Sequence, residues 1–427
     1  MLQITSVDRS TVIGRVNDDI RLKTLVSHSP LLSCEVCVIV PVRNEAENIK
    51  ATLLALTNQI DLTGKPLAKN RYEIIVLANN CSDNSAQIAR SFARTQPNLI
   101  LHVVEMTLKG DRAHIGWVRK LLMDEACRRF RAIGRNSGVI ASTDGDTRVT
   151  PTWIAAILAE ISNGADAVGG RIITDGRERN KLDPATRLYY LRHLRYGYLT
   201  SQLETILDPY FESFPRHHHH YGASFAITAA MYARCGGLPP LPSEEDVALY
   251  EALKRIDARF RHSPQVKVIT SARAIGRAKA GLSDRLLQLN TMAQRSQPVL
   301  VESAGLVEAR FYLRRWLRYL WQNTPQKTLP LELSIVAGKL DLSSELLEET
   351  IWRSRNFGLL VEQIGQYQQD NKELGNRWQK VTIQAANADL RHTIARYSAS
   401  NSQPQASPLS LDTLEQIEPI PLLPHPL

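Results

Sequence analysis

Long apolar runs are missing from this chain of 427 residues: no stretch approaches the roughly 18 to 20 apolar residues needed to span a bilayer. We therefore expect no transmembrane helix. The opening residues, "MLQITSVDRSTVIGRVNDD", also lack the positive start and apolar core of a secretory signal, which predicts a cytoplasmic protein. A composition of 43% hydrophobic and 22% charged residues is typical of a folded chain, long enough for one large domain and a smaller one.

Cysteine is scarce as well. The five cysteines are scattered, and their odd number argues against a disulfide framework. Cys34 and Cys37 form a C-x-x-C, but they begin the strand-like run "CEVCVIVPV", where residues three apart point to opposite faces. We therefore expect reduced thiols and neither a zinc nor a redox site.

Acidic residues are outnumbered, 43 against 52 basic ones, for a formal net charge of +9. This excess favours an anionic partner such as a nucleotide, a phospholipid or a nucleic acid. The Cys/His finger and the aromatic sheet signature of nucleic-acid modules are both missing, and the basic residues are spread along the chain. We therefore expect no nucleic-acid partner.

Strand and helix patterns alternate four times within about the first 145 residues. Runs such as "VCVIVPV" predict buried strands, and stretches such as "IKATLLALTNQI" repeat apolar residues at helical spacing. The alternation predicts an α/β fold with a doubly wound, mostly parallel sheet. In such sheets ligands bind beyond the carboxyl ends of the strands, where residues 41–45, 79–83 and 144–146 stand.

Beyond about residue 300 we predict helices only, ending in a Ser/Pro-rich stretch. The predicted segments are an N-terminal extension (1–33), an α/β domain (34–295), a helical C-terminal region (296–398) and a disordered tail (399–427). Within the helical region, "EARFYLRRWLRYLWQ" interleaves basic and aromatic residues at helical spacing. It lies on an anionic membrane surface, at the inner face, or packs on the α/β domain, and packing is favoured.

The stretch "SGVIASTDGDTRVTPTWI" ends a predicted strand in Asp144 and Asp146. Carboxylates this close repel each other, so a fold keeps them together where a cation or a transferred proton compensates, although a solvated acidic turn has the same pattern. They suit a nucleoside diphosphate bound through a divalent ion, or a phosphohydrolase with Asp144 as nucleophile. The second is disfavoured, because Thr147 stands where such enzymes place glycine and three predicted strands come first.

A second acidic cluster, Glu244 to Asp246, begins the predicted helix "EEDVALYEAL". Such residues can simply cap a helix, a contribution of about 0.3 to 1 kcal/mol per charge. Beside the pair at 144 and 146, we favour Asp246 as a general base that takes the proton of an incoming hydroxyl.

The segments "VIVPVRNEAENI", "EIIVLANNCSDNSA", "IASTDGDTRVTPTWI", "GASFAITAAMYARCGGL" and "EEDVALYEAL" resemble, in order, the blocks of glycosyltransferase family 2 over roughly Cys34 to Leu289. The resemblance implies the GT-A fold, with a Rossmann-like nucleotide-binding half and an acceptor half. It implies a nucleoside-diphosphate sugar as donor, an acceptor hydroxyl of unidentified origin, and an inverting displacement.

By this resemblance Asp146 binds Mg²⁺ or Mn²⁺ on the diphosphate, Asp144 contacts the nucleotide or ribose, and Asp246 acts as base beside Glu245. The other implied nucleotide-sugar residues are Pro41, Val42, Arg43, Glu45, Asn79 and Arg119. For Arg119 the alternative is a solvated helix face, and the nearby Lys109 and Arg112 are weaker candidates.

Two departures from the family pattern limit what is implied. Ala78 and Asn79 stand where aspartates are usual, and an amide has different donors and acceptors, so the nucleotide stays open. The Q-x-x-R-W signature of processive relatives is missing, which implies an enzyme that adds one sugar. A non-catalytic sugar-nucleotide binding protein remains an alternative.

Two further groups are weaker candidates. Of the histidines His217 to His220, at most two can face one site in a strand, where they could bind a metal or meet the acceptor. Arg273 and Arg277 stand on a glycine-containing loop suited to a diphosphate.

Overall fold

A computed structural model describes residues 24–273, 281–323, 329–369, 378–400 and 409–423. The chain divides into two units. The sheet unit comprises Met1–Lys181, His219–Tyr250 and Arg259–Arg285, and the helical unit comprises Leu182–His218, Glu251–Ala258 and Leu286–Leu427. Neither unit is a continuous stretch of sequence.

The strands and helices of the described residues are as follows. In chain order the strands are β1 (Val36–Val42), β2 (Tyr72–Asn79), β3 (Leu101–Met106), β4 (Val139–Ser142), β5 (Thr147–Val149), β6 (Ala167–Thr174), β7 (Phe225–Thr228), β8 (Phe260–Thr270), β9 (Leu300–Val301) and β10 (Val381–Thr382). The helices are α1 (Ile49–Thr57), α2 (Ser85–Thr95), α3 (Ile115–Ala132), α4 (Trp153–Ser162), α5 (Gly176–Asn180), α6 (Pro184–Leu207), α7 (Ala229–Arg234), α8 (Glu245–Arg255), α9 (Leu282–Gln294), α10 (Ala304–Asn323), α11 (Pro330–Leu340), α12 (Ser344–Arg353), α13 (Phe357–Gln369), α14 (Ile383–Ser400) and α15 (Leu411–Glu415).

One mixed sheet of eight strands organises the described part of the sheet unit, in the order β3-β2-β1-β4-β7-β6-β8-β5. Strands β1 to β4 pair in parallel, as do β6 and β8. Strand β7 is antiparallel to its neighbours β4 and β6, and β5 is antiparallel to β8. The sheet is mostly parallel and helices alternate with its first strands, which confirms the predicted α/β class.

The centre of the sheet is formed by β1, β2 and β4, in which every residue is buried. Covered on both faces, such strands take continuous β-branched runs, as "VCVIVPV" does. The two cysteines of the C-x-x-C lie in and beside β1, and all five cysteines of the chain are free. Burial raises the pKa of Cys34 to about 12, so this thiol stays protonated, as expected for a structural cysteine.

Strand β5 is a three-residue edge strand that the sequence pattern did not indicate. It pairs with the end of β8 so that Thr147 stands opposite Thr270, and their hydroxyl oxygens are 2.9 Å apart. The pairing ties the acidic turn before β5 to the carboxyl end of β8.

The helical unit has its own buried core, built by α10 to α13 and the chain near α15. In α10 the residues Tyr312, Leu313, Trp316, Leu317 and Leu320 all belong to it. Part of the aromatic stripe of "EARFYLRRWLRYLWQ" therefore packs in the core of the helical unit. Packing on the α/β domain, the favoured interpretation, stays a prediction. The helical C-terminal extension is confirmed.

Two expectations for this part of the chain were wrong in detail. The two-residue strands β9 and β10 form an antiparallel pair, so strands do occur from residue 300 onward. Disorder was predicted throughout 399–427, but within 409–423 the side chains of Leu414, Ile420 and Leu422 are buried in the helical core. The predicted domain boundaries at 33, 295 and 398 stay predictions.

Across the described residues, no helix combines the length and the apolarity that crossing a membrane requires.

Candidate active site at the carboxyl end of the sheet

The acidic turn lies between β4 and β5, at the carboxyl end of β4. It is tight, because the Thr147 amide donates to the Asp144 carbonyl at 3.1 Å. A side chain at Gly145, between the two aspartates, would come within 3.1 to 3.4 Å of Val42, Glu45 and Pro41. The predicted residues at the end of β1 and just after it therefore pack against the acidic turn, as the strand order implied.

Arg119 of α3 connects the acidic turn to the start of α8. Its Nη2 lies 2.7 Å from Oδ1 of Asp144, and its Nη1 donates to Oε1 of Glu245, 126 positions further along the chain. Burial alone lowers the pKa of Arg119, but the carboxylates of Glu245, Asp144 and Asp246 outweigh it and hold the pKa above its usual range. Arg119 is thus a buried, permanently charged bridge and not part of a solvated helix face.

The start of α8 presents two carboxylates in different surroundings. Glu245 is buried against Arg119, whereas Asp246 is half-buried. Both oxygens of Asp246 accept backbone hydrogen bonds, from the Gly222 amide at 2.6 Å and from the Val247 amide at 2.8 Å. Glu244, directly before them, has a left-handed backbone with φ of 57°, a conformation that non-glycine residues adopt where the surrounding structure requires it.

Gly222 is a site residue that the sequence reasoning missed. Besides donating to Asp246, it packs so closely on Arg119 that a Cβ atom here would lie 2.3 Å from Cζ of the guanidinium. In the sequence Gly222 is the first residue of the block "GASFAITAAMYARCGGL", but its contacts with Arg119 and Asp246 are set by long-range packing.

Asp146 is the second aspartate of the turn. Burial and the neighbouring Asp144 raise the pKa of Asp146 to about 6, against the opposing effect of Arg273. Burial also raises the pKa of Asp144, although Arg119 opposes it. The pair therefore favours a neighbouring cation.

A hard divalent ion fits this donor set. Mg²⁺ in particular is usually held by one or two carboxylates together with substrate phosphates and water. Among the described residues, no group of three or more His, Cys, Asp or Glu side chains is arranged to hold a metal. Asp146, with Asp144 beside it, could supply the carboxylate ligands.

The loops after β1 and β2 form a cross-linked rim. Asn44 and Asn80 both have left-handed backbones, with φ of 56° and 50°. The Asn44 side chain accepts from the Ser82 amide at 2.7 Å, and the Asn80 amide group exchanges two hydrogen bonds with the backbone of Leu108. These contacts hold the rim in one conformation.

Asn79 lies just inside this rim, at the end of β2. Its side chain is buried, and its Oδ1 is an acceptor without a hydrogen-bond partner among the described residues. Arg43, at the end of β1, donates to the Ala113 carbonyl at 3.4 Å from an exposed position. Both lie where the sequence placed them, and their roles stay predictions.

Of the weaker candidates, Arg273 contacts Asp146 and Glu45, while the histidines and Arg112 make other contacts. His219 accepts from the Ile172 amide at 3.0 Å, and the His220 ring stacks on Tyr250 with centroids 4.0 Å apart. Arg112 lies over the Trp117 ring at 5.2 Å. Arg277 falls outside the described residues.

Residues 37–216, about two fifths of the chain, match the family described as Glycosyl transferase family 2. The matched segment contains Arg119, Asp144 and Asp146, and ends before Glu245 and Asp246. The segment thus matches the same family whose blocks the sequence resembles.

Curated and solved proteins are similar to the chain. Glycosyltransferase AglE of Haloferax volcanii is 33% identical over 139 residues, which are 32% of this chain and 39% of that protein. The chain thus spans about two fifths of the length of the curated relative it matches. The solved mannosyltransferase PcManGT from Pyrobaculum calidifontis, in complex with GDP-Man and Mn²⁺, is 15% identical with a TM-score of 0.40, over 90% of this chain and 88% of that one. S. aureus TarS 1–349 in complex with UDP-GlcNAc is 16% identical with a TM-score of 0.40, over 79% of this chain and 92% of that one.

Proposed function

We propose that this protein is a non-processive, inverting glycosyltransferase that moves a sugar from a nucleoside-diphosphate donor to an acceptor hydroxyl with the help of Mg²⁺ or Mn²⁺. The observation that carries the proposal is the Arg119 bridge, which joins the acidic turn at Asp144 to Glu245 at the start of α8. A single charged side chain thereby fixes the geometry between a donor-binding loop and a candidate base.

The donor is held on one side of this bridge. Asp146 is the proposed ligand of the divalent ion, and Asp144 and Asn79 face the nucleoside. When bound, the ion neutralises charge on the departing diphosphate. The orphaned Oδ1 of buried Asn79 supports a nucleoside contact, because a buried acceptor is stabilised once it receives a hydrogen bond.

Asp246 is the proposed general base on the other side. Glu245 is a poorer candidate, because it is buried and already neutralised by Arg119. Asp246 is partly open to solvent, and the amides of Gly222 and Val247 hold its carboxylate in one orientation while leaving further lone pairs.

In the reaction, the acceptor oxygen attacks the anomeric carbon from the face opposite the diphosphate. The new C–O bond forms as the bond to the diphosphate oxygen breaks, and the hydroxyl proton passes to Asp246. Glu245 acts by holding Arg119.

The acceptor is unidentified. We propose a cytoplasmic location, with any membrane contact peripheral.

The first experiment is a thermal-shift panel of nucleoside diphosphates and their sugars, with and without Mn²⁺. A ligand that binds only the folded state raises its stability, by about 2.7 kcal/mol at a hundredfold excess over Kd. We expect one nucleotide family to stabilise the protein, and more strongly with Mn²⁺. A flat panel contradicts the proposed donor class.

Donor hydrolysis, with water as acceptor, then separates the roles. Asp246→Asn should keep the thermal shift and lose hydrolysis, whereas Asp146→Ala should lose the dependence of the shift on Mn²⁺. Asp61→Asn, a change of the same charge on an exposed turn of the sheet unit, is the matched control. If Asp246→Asn keeps its activity, the base is wrongly assigned. Stabilisation of the wild type without turnover indicates a binding protein, and a phosphoryl group trapped on Asp144 indicates a phosphohydrolase.

A further inference from the structure

Arg273, three residues after the end of β8, contacts two carboxylates for which the proposed reaction gives it no role. Its guanidinium meets the Glu45 carboxylate through two parallel hydrogen bonds, Nη2 to Oε1 at 2.5 Å and Nη1 to Oε2 at 3.0 Å. The same Nη2 lies 3.0 Å from Oδ2 of Asp146. One cationic group thus spans the carboxylate after β1 and the proposed ligand of the metal ion.

Glu45 is built to hold this arginine. Its carboxylate is buried, and Oε2 also accepts from the Asn48 amide group at 2.8 Å. Its backbone amide donates to the Ser85 hydroxyl at 2.7 Å. Because both the side chain and the backbone of Glu45 are held, its carboxylate presents both oxygens in one plane, the geometry that a guanidinium matches best.

The register of the sheet places Arg273 there. Thr147, next to Asp146, is opposite Thr270, so the chain leaving β8 passes the acidic turn within a few residues. The Arg273 side chain is 27% exposed, less enclosed than Glu45 or Asp146, at 6% and 16%. Arg273 can therefore exchange Glu45 and Asp146 for another anion while those two carboxylates stay in place.

A guanidinium at hydrogen-bond distance from Asp146 competes with a divalent ion for that carboxylate. Both are cations, and two cations at one carboxylate repel each other. A diphosphate changes this balance, because its oxygens match the guanidinium as well as a carboxylate does.

Resting on the proposed function, we propose that Arg273 is a diphosphate-binding residue that occupies Asp146 until the donor arrives. The ion alone then binds weakly, since it must displace the guanidinium. The donor diphosphate takes over Arg273, frees Asp146 and supplies phosphate oxygens to the ion. Metal and nucleotide therefore strengthen each other's binding, and by linkage the two effects are equal in size.

The test measures Mn²⁺ binding by the protein without any donor, from the electron paramagnetic resonance signal of free Mn²⁺. Arg273→Gln should bind Mn²⁺ about tenfold more tightly than the wild type, a ratio that corresponds to about 1.4 kcal/mol. Arg71→Gln removes the same charge from an ion pair with Glu35 in the same unit and is the matched control, with unchanged affinity expected. Equal Mn²⁺ affinity in Arg273→Gln and the wild type overturns the proposal.

Two further measurements locate the effect. Adding Asp146→Asn to Arg273→Gln should abolish the gain in Mn²⁺ affinity, and a gain that persists places the ion elsewhere and overturns the proposal. Calorimetry with UDP and GDP in the absence of metal should show weaker binding of at least one of them by Arg273→Gln, and undiminished binding of both also overturns it. None of these readouts needs turnover, so they are independent of whether Asp246 is the base.

Discussion

Replacing Gly222 with alanine tests the Arg119 bridge without removing any charged group. An alanine Cβ at this position would lie 2.3 Å from Cζ and Nη1 of Arg119 and 2.6 Å from Nη2. Carbon atoms in contact are normally about 3.5 to 4.0 Å apart, so the guanidinium has to move by about 1 Å. The end of an arginine side chain is flexible, so the free energy lost comes from the contacts that the move breaks.

Those contacts are to Asp144 and Glu245, and Arg119 has only 6% of its side chain exposed. A hydrogen bond between charged groups contributes roughly 1.5 to 3 kcal/mol, so losing one should destabilise the protein by about 2 kcal/mol. We expect the melting temperature to fall by several degrees, at about 2 to 4 °C per kcal/mol for a unit of this size. Donor hydrolysis should fall by about a hundredfold, because a displaced guanidinium no longer fixes the start of α8, and a shift of about an ångström there misplaces the proposed base.

Calorimetry and the hydrolysis assay check both effects, with Gly305→Ala as control, since a Cβ there meets no atom within 4 Å. The double variant Gly222→Ala, Arg119→Ala sharpens the test. Once the guanidinium is gone, the alanine at 222 has room, so the double variant should equal Arg119→Ala alone. Fully additive losses, or a Gly222→Ala variant that melts and turns over like the wild type, would refute the bridge as described.

Two more predictions concern stability. Burial alone would raise the pKa of Glu73, but hydrogen bonds from Arg129 and His102 outweigh it and lower the pKa from 4.5 to about 2. The folded state therefore gains about 3 kcal/mol of stability. This gain is fully present above pH 4.5 and disappears as the pH falls toward 2. In urea titrations from pH 7 to pH 3, the stability difference between the wild type and Glu73→Gln should therefore shrink, and a constant difference counts against this pKa. Leu317→Ala in the core of the helical unit should destabilise the protein by about 3 kcal/mol. Leu331→Ala should have little effect, because the Leu331 side chain is 59% exposed. Equal denaturation midpoints for the two variants would contradict the proposed core.

Local patterns predicted the parts of the fold that depend on neighbouring residues. The β-branched runs of β1 and β2 and the aspartates after β4 were all identified, because buried parallel strands and their polar ends have recognisable sequences. Strand β5 was missed because three residues carry too little periodicity, and β9 and β10 were missed because they have two residues each.

The charged contacts of the site could not be read from the sequence. Arg119 was identified as a nucleotide contact or a surface residue, and its second partner, Glu245, lies 126 positions away. Arg273 was considered for a diphosphate, but its fork on Glu45 spans 228 positions. Which distant carboxylate an arginine meets depends on the strand order of the whole sheet, and no local pattern encodes that.

The pairing of β5 with β8 limits how this site can be altered by loop exchange. Residues 144–146 are anchored by β4 before the turn and by β5 after it, and those two strands lie at separate places in the sheet. Moving residues 144–146 alone into another protein would leave behind the pairing of Thr147 with Thr270. That pairing sets the position of Asp146 relative to Arg273. The smallest piece that keeps this arrangement is the turn together with both of its strands and the last residues of β8. The proposed nucleotide contact is therefore better altered at Asn79, whose strand can stay in place.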